Sequence, residues 1–241
     1  MPRLLILACA LCAGCAAPGM PSTAPDPETP AATSSPAVAP VVAPVKVPRT
    51  EPRVEPQEST PEPDRWDRLR GGYALPKLED PRVSSQLRWY ASHQGYLDRV
   101  VERGRPYLHH IVAEIERRGL PMELALLPIV ESAFDPFGYS HGRAAGLWQF
   151  IPSTGRMYAL DQDWWHDERR DVLASTRAAL DYLEDLHRTF DGDWLLALAA
   201  YNSGPGNVRQ ALRRTRAADR PTDFFALGLP RETEAYVPKL L

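Results

Sequence analysis

The chain has 241 residues, 44% hydrophobic and 24% charged, with 28 basic against 31 acidic side chains and a formal net charge of −3. These proportions describe an ordinary globular chain of one or two domains, and the missing basic excess argues against nucleic acid, whose phosphates require one. All three cysteines, Cys9, Cys12 and Cys15, fall in the first fifteen residues, which excludes a disulfide or a thiolate metal site anywhere downstream.

In chain order, MPRLLILACALCAGC opens with Arg3, continues as an apolar run from Leu4 to Leu11 and places small residues before Cys15. This is the layout of an export signal, too short for a stable membrane-spanning helix. CAGC resembles the bacterial lipobox, whose last cysteine becomes the lipid-modified N-terminus, although Cys12 stands where that pattern carries Leu, Val or Ile. Residues 1–15 are therefore expected to be a lipoprotein signal peptide with Cys15 lipidated, the alternative being a plain cleaved signal. Ala16 and Ala17 offer no aspartate of the kind that retains lipoproteins at the inner membrane. By resemblance, a lipid anchor on the periplasmic face of the outer membrane follows, with a soluble periplasmic or secreted protein as the alternative.

Residues 16–63 consist of Pro, Ala, Val, Thr and Glu with almost no aromatic content, and hold thirteen of the 25 prolines. Proline removes backbone donors and blocks helix and sheet, so a disordered, partly polyproline II tether is expected. A tethered domain suits a target that is itself extended and insoluble.

From Asp64 onward, 24 basic residues face 25 acidic ones. No stretch alternates with period two, and the punctuation by Gly and Pro separates helical patterns, so residues 64–241 are expected to form an all-α domain. Helices are predicted over Ser85–Arg103 and over Arg105–Arg118, the second stopped by Gly119 and Pro121. Pro121 is expected to open the next helix. Ser175 is predicted to cap a helix whose apolar face carries Ala179, Tyr182, Leu183, Leu186 and Phe190. Asp193 should cap the Ala-rich WLLALAAYN, which breaks at Gly204-Pro205-Gly206 before a short basic helix to about Arg214.

The chemical oddity is ALLPIVESAFDP, Ala125 to Pro136, an apolar run holding one carboxylate. Leu124, Leu127 and Glu131 stand at i, i+3 and i+7, which puts Glu131 on the apolar stripe, and Pro128 is expected to kink the helix beside it. Burial there should raise its pKa and keep it protonated near neutral pH, as a general acid requires. An isolated glutamate at a helix end usually faces solvent instead. Asp135, at the turn that follows, is the nearest candidate for a second acid.

Three further blocks follow Glu131: GRAAGLWQFIPSTGRMY, ALAAYNSGPGNV and LPRETEAYVPKLL. With ESAFDPFGYS, in this order and at these intervals, they resemble the lytic transglycosylase domain of the soluble-transglycosylase and goose-type-lysozyme superfamily, nearest to its membrane-bound D branch. The resemblance implies a lysozyme-like all-α fold over roughly Leu87 to Leu241 and a chain that continues past Leu241. It implies Glu131 as catalytic acid and base, Ser140 as a substrate contact near the acetamido group, and Gln149 on the sugar cleft, with Gly146 allowing close backbone approach. Tyr201 and Asn202 would stand beside the carboxylate, and Glu232 with Tyr236 would complete the cleft. His141-Gly142 replaces the small pair usual after Ser140, which bears on the shape of that loop. Trp148, Tyr158, Trp164, Trp165 and Tyr201 are candidate cleft walls, although Trp148 and Tyr201 also suit a core.

The activity so implied is cleavage of the bond between N-acetylmuramic acid and N-acetylglucosamine in peptidoglycan without water, closing a 1,6-anhydro ring. The alternatives are a hydrolytic muramidase and a non-catalytic peptidoglycan-binding lipoprotein. Six histidines form no HExxH or other ligand spacing, and Gly142, Gly146 and Gly155 follow no strand, so no metal, phosphate loop or cofactor is expected. The expected partners are glycan strands and, through the anchor, a membrane. The expected state is a monomer.

Overall fold

The computed structural model describes residues 65–241. The expected signal peptide, Cys15 and the tether of residues 16–63 lie outside the described residues. Among the described residues there are nine α-helices, no named strand and three isolated bridges, Tyr139–Ala145, Ala145–Phe150 and Gln162–Asp167. None of the helices is long and apolar enough to cross a membrane.

The helices run α1 (Arg65–Gly71), α2 (Pro81–Ser92), α3 (Gln94–Arg118), α4 (Leu127–Ser132), α5 (Pro152–Met157), α6 (Val172–Thr189), α7 (Trp194–Ser203), α8 (Pro205–Ala217) and α9 (Arg231–Leu240). Packing centres on α7, where every residue from Leu196 to Ala200 is buried, as a helix apolar on all sides requires. Helices α6, α8 and α9 surround it. Its alanines let these neighbours approach closely, and its C-terminal residues Tyr201, Asn202 and Ser203 emerge where the core gives way to a cleft. Asp193 caps α7 as expected, its carboxylate accepting from the Leu195 and Leu196 amides at 2.8 and 3.0 Å.

Helix α3 buries one stripe, Val100, Leu108, Ile111, Val112 and Ile115, and closes on Gly119 in the left-handed conformation (φ 65°). It runs unbroken through Gly104 and Pro106, whereas two helices meeting there were expected; the break falls instead at His93, between α2 and α3. Pro106 lies on the exposed face, so the Glu102 carbonyl it leaves without a donor can turn to water. Gly104 is a packing position, not punctuation: a Cβ there would come within 2.9 Å of the Phe134 ring.

The single helix expected from Pro121 is a 3-10 turn, Met122–Leu126, followed by the short α4. Pro128 falls in the first turn of α4, where its missing N–H costs nothing, so it starts that helix and does not kink it. Helix α6 is capped by Asp171, whose carboxylate accepts from the Ala174 amide at 2.8 Å, and not by Ser175. Ser175 lies within the first turn and donates to the Asp171 carbonyl.

Candidate active site

Helix α4 ends one residue after Glu131, and the chain turns back through Ala133 (φ 51°) and Phe134 (φ 57°). Two consecutive left-handed residues with side chains are strained, and the turn is held by what surrounds it. Phe134 is buried against Gly104 of α3. Ser132 donates to the Leu147 carbonyl at 2.9 Å and accepts from the Asp135 amide at 3.2 Å, which fixes the end of α4 to the GLWQ block.

The loop after this turn folds on itself. Ser140 and Ala144 pair through Ser140 N–H to Ala144 O at 2.9 Å, and Ser140 Oγ accepts from the Ala144 amide at 3.0 Å. This tight loop accommodates His141-Gly142 at its exposed tip, and Arg143 takes a positive φ of 65°. The buried Arg169 guanidinium holds the loop from beneath, donating to the carbonyls of Arg143 (2.8 Å) and Phe150 (2.9 Å) and to the Asp167 carboxylate (2.7 Å). Gly146 (φ 82°) receives the Arg169 carbonyl so closely that a Cβ would lie 1.8 Å from it. Gln149 is left-handed too (φ 49°), and its Nε2 donates to the carbonyls of Gly146 (2.8 Å) and Gly138 (3.3 Å). Both partners are acceptors, so the amide orientation follows and the side-chain oxygen is the atom left for a ligand.

These elements enclose a cleft of about 460 Å³. Glu131, Ser140, Gln149, Tyr201, Asn202, Glu232 and Tyr236 all line it, although they come from α4, two loops, α7 and α9. Gly146 does not line it; its close approach is to Arg169. Tyr236 donates its hydroxyl to Glu131 Oε1. Tyr201 donates to the Trp148 carbonyl at 2.8 Å, so its ring, not its hydroxyl, faces the cleft as wall. Asn202 Oδ1 accepts from the buried Thr233 hydroxyl at 2.8 Å, which joins α7 to α9 across the floor and leaves the amide N–H groups as donors.

Glu131 is half-buried in the cleft wall, and desolvation there pushes its pKa up to about 7. The negative charge of Glu232 adds to the rise, while the Tyr236 hydrogen bond and the Lys239 charge oppose it. Burial also holds Tyr201 and Tyr236 well above the ordinary phenol range, with the Glu131 charge adding to it. Both therefore remain neutral phenols.

Several expected walls lie elsewhere. Trp148 is fully buried and donates to Thr176 Oγ1 at 3.0 Å, so it belongs to the core. Tyr158 is tied to Asp185 at 2.9 Å outside the cleft, and Trp164 and Trp165, about 80% exposed, stand at a loop tip away from it. Asp135 also lies outside; its carboxylate accepts from the Phe137 amide at 2.9 Å in the turn. Tyr182 of α6 and Lys239 of α9 line the cleft and were not expected there. A phenol in the Ala-Leu face of α6 was the available signal for the first. Lys239 follows Pro238 in the last sequence block, where a single surface-type lysine carries no signal.

A family model described as the transglycosylase SLT domain matches residues 110–224. The chain is 48% identical over 181 residues to the membrane-bound lytic murein transglycosylase D of Escherichia coli (strain K12). Residues 110–224 are a transglycosylase SLT domain. That alignment covers 75% of this chain and 40% of the relative, so the chain spans well under half of the relative's length. An Alteromonas protein (strain M-1), provisionally named for tributyltin chloride resistance, is 44% identical over 138 residues, covering 56% of this chain and 67% of its own. Among solved structures, the lytic transglycosylase Slt of Pseudomonas aeruginosa superposes with a TM-score of 0.44 at 25% identity, over 73% of this chain and 30% of that one. The SLT match contains Glu131, Ser140, Gln149, Tyr201 and Asn202 and stops short of Glu232 and Tyr236.

Proposed function

We propose that this SLT-domain chain is a peptidoglycan lytic transglycosylase with Glu131 as its single acid and base. The observation that carries the reading is a carboxyl pushed up to about 7 by burial on a cleft whose other lining groups are mostly neutral donors, acceptors and rings. Such a carboxyl holds a proton near neutral pH and can give it to a glycosidic oxygen. As the bond from C1 of N-acetylmuramic acid to the leaving oxygen breaks, the substrate's own acetamido oxygen shields C1. The Glu131 carboxylate, accepting from Tyr236, then takes the proton of the muramic 6-hydroxyl as O6 bonds to C1. The proton given is recovered, no water enters, and the product ends in a 1,6-anhydro ring.

Ser140, Gln149 Oε1 and the Asn202 amide would hold the acetamido and hydroxyl groups, with Tyr201 as a ring wall. Glu232 is the other carboxylate on the cleft; it is exposed on the first turn of α9 and tunes Glu131 through its charge. A hydrolytic muramidase built on Asp135 has no support, because Asp135 serves the turn outside the cleft.

Mass analysis of the muropeptides released from purified sacculi tests the chemistry. Anhydro ends are expected from the parent and none from Glu131→Gln, which should still bind sacculi. Reducing ends from the parent, or anhydro ends from Glu131→Gln at the parent rate, would overturn the mechanism. In the same reading Cys15 carries a lipid anchor at the periplasmic face of the outer membrane, residues 16–63 tether the domain of residues 64–241, and the protein works as a monomer on glycan strands. Palmitate labelling lost in Cys15→Ser would support the anchor, and labelling retained in it would refute Cys15 as the site.

A further inference from the structure

The elbow between α2 and α3 gathers four aromatic rings that the cleft chemistry leaves unused. Trp89 stacks on His93 at 4.3 Å and meets Tyr90 and Tyr96 edge-on at 5.2 and 5.4 Å. The cluster is held from the backbone, since the Trp89 carbonyl accepts from Ser92 Oγ at 2.9 Å and from His93 Nδ1 at 2.7 Å. Trp89 nevertheless stays 44% exposed. Trp89, Tyr90 and Tyr96 line a hollow of about 300 Å³ together with Gln86 and Ile129. A cavity of that size takes one sugar ring. Val130 and Lys239 line both this hollow and the cleft of Glu131, so the two adjoin. No ion pair engages Lys239 among the described residues, and the residue lines both hollows.

We propose that this aromatic shelf is an additional saccharide subsite, in which Trp89 stacks on a pyranose ring of the strand held in the cleft while Lys239 attracts the carboxylate of an acidic sugar's side arm. The proposal rests on the glycan reading of the cleft. Pyranose C–H bonds present a weakly positive face to the negative face of an indole, and a rigid aromatic shelf loses little entropy on contact. A cation beside it adds preference for an acidic ring over a neutral one. The rings lie at residues 89–96 and the lysine at 239, outside the family match of residues 110–224, whereas Ile129 and Val130 of the same hollow lie inside it.

The test measures binding and turnover on the full chain with N-acetylglucosamine hexamer, peptide-free glycan strands and peptide-bearing strands. Trp89→Ala should weaken the hexamer and peptide-free strands by about tenfold, raising KM with kcat unchanged, and Trp89→Phe should recover most of the loss. With Glu131→Gln as the background, where the effect of Lys239 on the catalytic carboxyl is not read, Lys239→Gln should lower affinity for the acidic strands more than for the neutral hexamer. Unchanged binding in Trp89→Ala would overturn the subsite, and a loss confined to peptide-bearing strands would reassign the shelf to the stem peptide and overturn it as a sugar site. Because affinity can be read in Glu131→Gln, these outcomes are independent of those that decide the bond-breaking chemistry.

Discussion

Glu131 is held by opposing forces, and the balance has consequences in both activity and stability. Desolvation raises its pKa to about 7, while the Tyr236 hydrogen bond and Lys239 restrain the rise. A general acid must start protonated, so kcat/KM on glycan strands should fall as pH increases through about 7. Tyr236→Phe removes a donor that favours the carboxylate, so the falling limb should move to higher pH. A limb that stays near the ordinary carboxyl range in the parent would show that burial does not govern the group. The same shift costs stability. Between about 4.5 and 7 the folded chain binds this proton more tightly than the unfolded one, so stability falls as pH rises across that window. The full penalty, on the order of 3 kcal/mol, is present above pH 7 and absent below 4.5. Glu131→Gln should therefore raise Tm at pH 8 and leave it nearly unchanged at pH 4, as calorimetry at the two pH values would reveal; equal effects at both would contradict the linkage.

At the scale of elements, the turn that delivers Glu131 depends on a contact with α3. Gly104→Ala would ordinarily stabilise a helix interior by up to about 1 kcal/mol. Here the added methyl would sit 2.9 Å from the Phe134 ring, which is pinned in a left-handed turn and cannot easily yield. Overpacking of this kind costs about 1–3 kcal/mol, so the substitution should lower stability on balance and reduce activity more than its stability loss explains. Denaturant unfolding with activity measured on the folded fraction checks both; a gain in stability would show that Phe134 relaxes. This position also shows what was legible in the sequence. Asp193 reads correctly as a cap because the capping bond lies within three residues. Gly104-Pro106 reads as a break because the ring that makes Gly104 a packing residue comes from a distant part of the chain. The four sequence blocks bring Glu131, Ser140, Gln149, Tyr201, Asn202, Glu232 and Tyr236 to a single cleft, since motif order carries long-range information that periodicity lacks. Arg169 and Lys239 are not legible because surface-type residues in polar surroundings give no pattern, and Trp148 misleads because a tryptophan suits wall and core alike.

At the scale of the whole molecule, the family match begins at residue 110, and α1, α2 and most of α3 are built onto it. The attachment has a defined clasp. Glu123, 6% exposed, accepts from the Ala74 amide at 3.1 Å and the Leu75 amide at 2.9 Å, while the Met122 amide donates to the Gly72 carbonyl at 3.1 Å. Arg68 pairs with Glu116 at the surface, where an ion pair adds little. Glu123 is the stronger element, because hydrogen bonds to a buried carboxylate are worth about 1.5–3 kcal/mol each. Glu123→Leu would leave the Leu75 amide buried without a partner and should cost roughly 2–4 kcal/mol, an upper range reduced by the exposure of Ala74. The loss should be local: amide exchange should accelerate at Ala74 and Leu75 and remain slow in α7 at Leu198 and Ala199, which lie at the centre of the core. Uniform acceleration along the chain would instead mean that the clasp and the core unfold as one unit.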